Sequence, residues 1–285
     1  MISISPQELR LLSQFIYRIS GVRLDDSKAY LFESRLGVML QELQCGSFTE
    51  LHARIRKDGT RQLERRLLDL ITTGETSFFR DQTPFELLQQ KILPDLIDRK
   101  NRTRGSAKTM TLRIWSAACS SGQEVYSIAM ILKELLGSSS PFEIRLLGTD
   151  ISGQAVATAS RGIYSRIEVE RGLNGHKLSR HFIPQDDSRW KIQDELRAMA
   201  TFRTFNLLSD LTSLGRFDII LCRNVAIYFS EKDRQGLFNR LANALEPEGS
   251  LLIGATESLA GSYPQYSPQR HMRSVFYTVQ KAAAT

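Results

Sequence analysis

From residue 109 onward, the sequence alternates between short apolar runs and amphipathic stretches bounded by glycines. "TLRIWSAA" (111–118) is typical of a strand, and "GQEVYSIAMILKELLG" (122–137) is typical of an amphipathic helix. The same order follows in "FEIRLLGTD" (142–150) and "SGQAVATASRG" (152–162). Because parallel strands are joined by right-handed crossovers, this alternation predicts an α/β domain built on an open parallel sheet.

The alternation is interrupted between residues 163 and 200, where glycines, a proline and "QDDSRW" occur without a long periodic run. We expect this insertion to form a small antiparallel subdomain. A helix is predicted for "SEKDRQGLFNRLANALEPEG" (230–249). Strands are predicted to resume with "TFRTFNLL" (201–208), "FDIILCR" (217–223), "GSLLIGAT" (249–256) and "SVFYTVQ" (274–280).

Four helices are predicted within residues 1–72. The first, "SPQELRLLSQFIYRISG", has Ser5 at its cap, Pro6 at its first position and Gly21 at its end. The others are "DDSKAYLFESRLGVMLQELQCG", "SFTELHARIRKDG" and "TRQLERRLLDLITTG". Short helices with short loops predict a small all-α N-terminal domain. The polar, basic stretch "KNRTRGSAKT" (100–109) predicts a linker or an exposed loop.

Several classes of protein are not expected. No apolar run approaches the roughly 20 residues of a membrane helix, and the N-terminus lacks the layout of a signal peptide, so we expect a cytoplasmic protein without membrane insertion. Cys45, Cys119 and Cys222 show no CxxC spacing, and the four histidines form no HxH or HExxH pattern. We therefore expect neither a metal site nor a disulfide framework.

The chain is basic, with a net charge of +7 and a pI near 9.4. This balance suits an anionic partner protein or a nucleic acid, and charge alone does not choose between them. The third and fourth predicted helices carry much of the basic charge. They offer either a solvated face or a docking face for an acidic partner. Their cations are Arg54, Arg56, Lys57, Arg61, Arg65 and Arg66.

Polar residues stand where predicted strands end, which is where ligands bind in an open parallel sheet. Asp150, at the end of the second strand, is placed to accept hydrogen bonds from both ribose hydroxyls of a nucleoside. It could instead cap the following helix. Arg223 and Asn224 interrupt an otherwise apolar run and can face a ligand, or can cap neighbouring carbonyls.

The loop after the first strand, "SAACSSGQEVYS" (116–127), restricts the kind of ligand. It contains one glycine, Gly122, rather than the GxGxxG fingerprint, so a pyrophosphate cradle is not expected. Its small residues allow the backbone to approach a neutral or zwitterionic ligand closely. A nucleoside site without a phosphate loop points to S-adenosylmethionine.

Three groups of motifs resemble those of the CheR-type chemotaxis receptor methyltransferases, in order over nearly the whole chain. They are "TTGETSFFRD" (72–81), "WSAACSSGQEVYSIAM" (115–130) with "GTDIS" (148–152), and "FNLL" (205–208) with "CRNVAIYF" (222–229). The resemblance implies methyl transfer from S-adenosylmethionine to glutamates in the cytoplasmic helical bundle of chemoreceptors, with S-adenosyl-L-homocysteine as product. This is the reaction of a protein-glutamate O-methyltransferase acting in chemotactic adaptation.

The resemblance also implies a division of the chain. Residues 1–72 would be a helical receptor-docking domain, and residues 73–108 a linker and lead-in helix that contributes to the cofactor site. Residues 109–285 would be a Rossmann-like methyltransferase domain with an inserted β-subdomain at 163–200. The implied cofactor-binding residues are Thr76, Arg80, Glu124, Asp150, Asn206, Leu207, Arg223 and Asn224.

The chemistry of these side chains suits the implied roles. Arg80 can pair with the cofactor's carboxylate and Glu124 can meet its cationic end, while Asp150 holds the ribose. Asn206 and Leu207 are expected to contact the adenine. Tyr228 and Arg80 are the candidate catalytic residues, with Tyr228 near the transferring methyl. A glutamate substrate is ionised at pH 7 and needs no general base, so catalysis would depend on positioning and on the exclusion of water.

The sequence departs from the family pattern at several positions. Gly74 replaces a frequent asparagine, and "GATES" (254–258) stands where many members have "GHSE". The second helix keeps Lys28 and Arg35 but has Gly37 and Val38 at expected basic positions. The predicted receptor-docking residues are therefore Lys28, Arg35, Arg54, Arg61, Arg65 and Arg66.

The insertion is short around "FIPQDDSRWKIQDEL" (182–196) and lacks a glycine-rich turn. We therefore predict that the protein does not need the C-terminal receptor pentapeptide as a tether.

Two alternative functions are open from the sequence. A nucleic-acid methyltransferase would suit the basic pI, but "RNVAIYF" lacks the prolines of an Asn/Asp-Pro-Pro-aromatic motif. A non-catalytic module that binds cofactor or receptor is disfavoured by the near-complete set of motifs.

Overall fold

The computed structural model describes residues 2–103, 105, 109–137 and 140–279. An all-α unit comes first. Its first helix begins with a capping box: Ser5 Oγ accepts the Glu8 N–H, and the Glu8 carboxylate accepts the Ser5 N–H. The helix ends before Gly21, whose φ is +78°. The helices of this unit are α1 (Pro6–Ser20), α2 (Ala29–Leu31), α3 (Gly37–Glu42), α4 (Phe48–Lys57) and α5 (Gln62–Ile71).

The second predicted helix is not continuous. A 3-10 turn (Asp26–Lys28) precedes α2, and a π turn (Phe32–Leu36) separates α2 from α3. The Ser34 hydroxyl donates to the Tyr30 carbonyl at 2.6 Å, and such back-bonding competes with the helical backbone bonds. The apolar faces of the five helices nevertheless meet in one core. Its fully buried members include Leu12, Ile16, Phe32, Leu36, Phe48, Leu51 and Leu67.

A long helical segment leads into the α/β domain and overlaps the first residues of the loop predicted at 100–109. It consists of α6 (Thr83–Leu87), a π turn (Leu88–Ile92) and α7 (Leu93–Thr103). The predicted linker at 100–109 therefore begins inside a helix, and residues 104 and 106–108 lie outside the described residues. Lys100 fixes the end of α7, because its Nζ lies 2.8 Å from the buried carboxylate of Asp218.

A seven-stranded sheet forms the centre of the α/β domain and confirms the predicted fold class. Its strand order is β6-β2-β1-β7-β8-β10-β9, and the first five strands in this order are parallel. The flanking helices are α8 (Gln123–Leu136), α9 (Gly153–Arg161) and α13 (Glu231–Ala244). The strands are β1 (Met110–Ala117), β2 (Phe142–Asp150), β6 (Ala200–Thr204), β7 (Phe217–Cys222), β8 (Leu245–Ile253), β9 (Tyr266–His271) and β10 (Ser274–Val279).

The central strand β7 is buried along its whole length. Ile219 and Leu221 pack in the core that contains α8, whereas Ile220 and Cys222 pack in the core that contains α13. This alternation follows from the two-residue period of a strand with helices on both faces.

Two boundaries differ from the sequence prediction. The helix predicted for residues 230–249 ends at Ala244, because Pro247 cannot donate a helical hydrogen bond and restricts the residue before it. The sequence analysis also did not predict strand β9. Its sequence, "YSPQRH", is polar and contains Pro268, which is tolerated because β9 lies at the edge of the sheet. Gln280, the last residue of the final predicted strand, lies outside the described residues.

The insertion contains a three-stranded antiparallel sheet, which confirms the predicted small subdomain. Its strand order is β3-β5-β4. Phe78 anchors it to the rest of the protein through edge contacts with Tyr164 at 5.1 Å and Phe182 at 5.4 Å between ring centroids. The elements are β3 (Ile163–Ser165), α10 (Arg166–Glu170), α11 (Gly175–His181), β4 (Phe182–Pro184), β5 (Arg189–Ile192) and α12 (Asp194–Arg197).

Candidate functional site

A pocket lies beyond the carboxyl ends of the parallel strands, under the N-terminal helical unit. It is lined by segments of the N-terminal part of the chain as well as by the loops after β1, β2, β6 and β7. The structure brings all the predicted cofactor-binding residues and Tyr228 together here. The residues are Thr76, Arg80, Glu124, Asp150, Asn206, Leu207, Arg223, Asn224 and Tyr228.

The backbone around the pocket turns sharply. Ala118, Ser120 and Asn224 have φ values of +63°, +51° and +58°, in the left-handed region that residues other than glycine seldom adopt. Gly122 has a φ of +92°, and a Cβ there would lie 2.8 Å from the Ala159 Cβ. The need for glycine at position 122 therefore comes from its positive φ and from packing against α9, whereas the sequence suggested a close approach to a ligand.

Asp150 sits at the end of β2 with its carboxylate fixed from two sides. One oxygen accepts the Ser120 N–H at 2.8 Å, and the other accepts the Ser152 N–H at 2.9 Å. Ser152, rather than Asp150, caps α9 by accepting the Ala155 N–H. Burial raises the pKa of the Asp150 carboxyl above its ordinary value, although these backbone donors act in the opposite direction.

Arg223 occupies the floor of the pocket and is almost completely buried. Its guanidinium donates to Glu124 Oε2 at 2.7 Å, to Asp81 Oδ2 at 2.7 Å and to the Arg80 carbonyl at 3.0 Å. The other oxygen of Glu124 accepts the Ser116 hydroxyl at 2.8 Å. Glu124 is therefore the counter-ion of Arg223, a role that the sequence did not predict.

Arg80 and Asn206 both line the pocket. Arg80 Nη1 donates to the Glu75 carbonyl at 2.8 Å, and the side chain is partly exposed. The Asn206 amide donates to the Ile19 carbonyl at 3.1 Å and accepts the Leu208 N–H at 2.9 Å. Asn206 thus joins the pocket wall to helix α1, and the buried Leu207 beside it supplies an apolar surface.

The N-terminal unit forms part of the pocket wall, which the sequence analysis did not foresee. It contributes Ser20, Val22, Leu24, Ile71 and Thr72. Hydrogen bonds attach the unit to the α/β domain on both sides of the pocket. Tyr17 donates to Asp233 at 2.5 Å, and Asp69 accepts the Ser152 hydroxyl at 2.7 Å. The Arg23 N–H donates to the Tyr228 carbonyl at 2.9 Å.

Glu257, in "GATES", was not among the site residues predicted from the sequence. Its Oε2 accepts the Gly254 N–H at 2.8 Å and the Asn224 N–H at 3.1 Å. It therefore links the loop after β8 to the left-handed turn after β7, where Asn224 lines the pocket. The Glu257 carboxylate in this motif therefore has a structural role, because it holds two loops together. The periodicity of the sequence could not show this role.

Comparison with known proteins identifies the family. The family described as "CheR methyltransferase, SAM binding domain" matches residues 74–276, and "CheR methyltransferase, all-alpha domain" matches residues 7–72. This chain belongs to the CheR methyltransferase family. The family match confirms S-adenosylmethionine as the predicted cofactor and favours the methyltransferase prediction over the nucleic-acid enzyme and the non-catalytic module.

Curated relatives of this CheR-family chain are similar over most of their length. Chemotaxis protein methyltransferase Cher2 of Pseudomonas putida is 36% identical over 92% of this chain and 94% of its own. Chemotaxis protein methyltransferase 1 of Pseudomonas aeruginosa is 38% identical over 88% and 90%, respectively. The chemotaxis protein methyltransferase of Vibrio parahaemolyticus is 35% identical over 98% and 99%.

The side chains of the CheR-family pocket fit S-adenosylmethionine. The buried carboxylate of Asp150 offers acceptors for ribose hydroxyls, and Leu207 and Phe229 offer an apolar surface for adenine. Arg80 places a cationic guanidinium at the pocket, and a carboxylate is the natural partner of such a group. At the floor, the cationic Arg223 is paired with two carboxylates, those of Glu124 and Asp81, so its charge is not free to bind a polyphosphate. The pocket therefore suits a zwitterionic ligand better.

The six predicted docking residues of this CheR-family chain are in different environments. Arg35 donates to the Ile71 and Thr72 carbonyls, and so ends α5. Arg54 donates to the Leu43 carbonyl at 2.6 Å, and Arg66 lies 3.5 Å from Glu42. The remaining three are Lys28, Arg61 and Arg65, of which both arginines are exposed.

The three cysteines are free and buried. Within the described ranges, histidine, cysteine and acidic side chains form no group of three that could hold a metal ion. Across the same ranges, no helix combines the length and the apolar character that crossing a membrane requires.

Proposed function

We propose that this chain transfers the methyl group of S-adenosylmethionine to glutamate side chains in the cytoplasmic helical bundle of chemoreceptors. The product would be a carboxyl methyl ester, as made by a protein-glutamate O-methyltransferase of the EC 2.1.1.80 type. The observation that carries the proposal is the convergence of the family's motif residues on one pocket whose edge includes Tyr228. The names of the relatives, all chemotaxis protein methyltransferases, support the same assignment.

The proposed roles follow from the contacts of each side chain. Asp150, which already accepts two backbone N–H groups, holds the ribose, and Arg80 pairs with the carboxylate of the cofactor. Leu207 packs on the adenine. Thr76, Asn206 and Asn224 complete the wall. Tyr228, whose side chain is 38% exposed, lies between the cofactor and an approaching glutamate.

The bound cofactor supplies an electrophilic methyl group on a sulfonium. The substrate carboxylate is ionised at neutral pH and attacks directly, so the chain needs no group that removes a proton. The N-terminal unit covers the pocket, and the apolar side chains of Val22 and Phe229 exclude water from its wall. Positioning and desolvation are therefore the main contributions of the protein.

We also propose the division of labour expected from the sequence. Residues 1–72 dock the receptor, residues 73–108 lead into the cofactor site, and residues 109–285 bind the cofactor, with the insertion at 163–200. The receptor bundle is cytoplasmic, so we propose that this chain acts in the cytoplasm.

Transfer of radiolabelled methyl groups to a chemoreceptor tests the enzymatic proposal. Base-labile label on the receptor, lost in Asp150→Ala or Arg80→Ala, is the expected result. Label on RNA would favour a nucleic-acid enzyme instead. Binding of S-adenosyl-L-homocysteine without any transfer would favour a regulatory module.

We propose that Arg61, Arg65 and Arg66, together with Lys28, Arg35 and Arg54, form the docking face for the acidic receptor bundle. Reversal of Arg61, Arg65 and Arg66 to glutamate should lower kcat/KM for receptor about tenfold or more, because like charges facing each other are strongly unfavourable. Affinity for S-adenosyl-L-homocysteine should not change.

A matched control reverses three exposed arginines on the α/β domain, Arg216, Arg270 and Arg273, which changes the net charge by the same amount. If both triple variants lose receptor methylation equally, the effect is one of net charge, and the docking face is wrong. If the first variant retains full activity, these arginines are only solvated surface.

We propose that the chain acts without a receptor pentapeptide tether. The turn between β4 and β5 is short, with the Gln185 N–H donating to the Arg189 carbonyl at 2.9 Å. Calorimetric titration with the tethering pentapeptide should show no heat, and micromolar binding would contradict the proposal.

A further inference from the structure

The loop that carries Arg80 has an unfavourable backbone. Phe79, Asp81 and Gln82 have φ values of +50°, +67° and +39°. Three of four consecutive residues, none of them glycine, therefore have a positive φ. Such conformations cost free energy and persist only when surrounding contacts enforce them. Arg80 lies between these residues, so the contacts that hold the loop also decide where its guanidinium points.

Two buried groups hold this loop. The Ser127 hydroxyl on α8 accepts the Phe79 N–H at 3.0 Å. Arg223 donates through Nη2 to both the Arg80 carbonyl and the Asp81 carboxylate. The side chain of Arg223 is 2% exposed, so its charge depends on the carboxylates beside it.

The two carboxylates that neutralise Arg223 come from different parts of the chain. Glu124 belongs to the start of α8 and is fixed by Ser116, whereas Asp81 belongs to the loop itself. The 2.7 Å contact between Asp81 and Arg223 therefore joins the loop to the floor of the pocket. Charge-assisted bonds of this length are the strong ones in proteins.

The pairing also affects the charge of Arg80. Asp81 is its sequence neighbour, but the carboxylate turns to Arg223 instead. Among the salt bridges of the described residues, none includes Arg80. The hydrogen bond that the described residues offer the Arg80 guanidinium is to the Glu75 carbonyl, and the Glu75 carboxylate is itself bonded to Arg171. The charge of Arg80 is therefore available to an anionic ligand in the pocket.

We propose that Asp81 is a positioning residue for Arg80: by pairing with the buried Arg223, it fixes the loop so that Arg80 faces the carboxylate of the cofactor. This inference rests on the proposed function, which assigns that carboxylate to Arg80. Asp81 acts through the loop and does not itself contact the cofactor.

A double-mutant cycle tests this proposal. Affinity for S-adenosyl-L-homocysteine is measured by calorimetry for the wild type, Asp81→Ala, Arg80→Ala and the double variant. We expect Asp81→Ala and Arg80→Ala each to weaken binding by roughly tenfold or more, as for loss of a charge-assisted contact. The double variant should bind no more weakly than Arg80→Ala, because Asp81 acts through Arg80.

Kinetics give a second readout. Asp81→Ala should raise KM for S-adenosylmethionine while kcat at saturating cofactor stays within about twofold, as expected for loss of binding that is equal in ground and transition states. Asp81→Asn keeps an acceptor oxygen but loses the charge, so its KM should lie between those of the wild type and Asp81→Ala. This variant also serves if Asp81→Ala fails to fold.

Asp187→Ala, in the exposed turn of the insertion, is the matched control and should behave as the wild type. Additive losses in the double variant, or unchanged affinity in Asp81→Ala, would overturn the proposal while leaving the proposed function intact. Unchanged affinity in Arg80→Ala would remove the proposed role of Arg80, and the positioning role of Asp81 with it.

Discussion

Removal of the Glu257 side chain should loosen the turn that carries Asn224. In the wild type, one oxygen of Glu257 accepts two backbone N–H groups, from Gly254 and Asn224. Glu257→Ala removes both bonds at once. The left-handed φ of Asn224 then loses a contact that enforces it, and the pocket wall formed by Asn224 should shift.

The size of the effect follows from these two contacts. A hydrogen bond to a charged group contributes about 1.5–3 kcal/mol, and Glu257 is only partly buried, so water can replace part of the loss. We expect Glu257→Ala to lower the free energy of unfolding by about 2–4 kcal/mol. Glu257→Gln keeps an oxygen that can accept both N–H groups, so its loss should be about 1 kcal/mol, since neutral bonds are weaker.

Urea unfolding followed by circular dichroism measures the stability, and calorimetry measures affinity for S-adenosyl-L-homocysteine. Displacement of the turn should weaken that affinity by roughly tenfold, because small misplacements in a binding site are costly. Glu86→Ala, at an exposed position of α6, is the control for loss of a glutamate. If Glu257→Ala is as stable as this control and binds as the wild type does, the contacts of Glu257 do not support the pocket.

Three further predictions concern other parts of the structure. Burial raises the pKa of Asp150, so its carboxyl takes up a proton at a higher pH than an exposed aspartate does. Affinity for S-adenosyl-L-homocysteine should therefore fall as the pH is lowered toward that raised pKa. A calorimetric pH series in which affinity falls only at the pKa of an ordinary aspartate, about 3.9, would contradict this. Gly122→Ala should lower stability by about 1–3 kcal/mol in thermal unfolding, through its positive φ and the contact with Ala159, and an unchanged midpoint would refute the packing argument. Tyr17→Phe removes the bond to Asp233 and should lower the stability of the contact between the two units by about 1 kcal/mol. Faster hydrogen exchange in α1 would show this loss. Unchanged exchange would mean that this bond does not hold the units together.

Much of the fold follows from local patterns in the sequence. Ser5 and Glu8 place the start of α1, and the apolar run at 217–222 gives a buried central strand, because caps and side-chain periods depend on residues close together in the chain. Strand β9 escaped prediction since an edge strand does not need an apolar pattern. The π turn that breaks the second helix at Phe32–Leu36 is likewise not visible in the apolar periodicity of the sequence.

The candidate site was likewise predictable from the sequence only in part. Asp150, Arg223 and Asn224 could be selected from the sequence because polar residues at the ends of apolar strands lie where parallel sheets bind ligands. The residues with which they form hydrogen bonds could not be selected from the sequence. Arg223 and Asp81 are 142 positions apart, and Asn224 and Glu257 are 33 apart. Only the folded topology brings their loops together.

The sequence by itself therefore determined most of the elements, their order and the edge of the sheet that carries the polar residues. The tertiary structure decided which charges neutralise each other, that the N-terminal unit forms part of the pocket wall, and that Gly122 serves packing. The physical reason is that periodicity and capping are short-range properties of a chain, whereas the burial of a charge is settled by every segment packed around it.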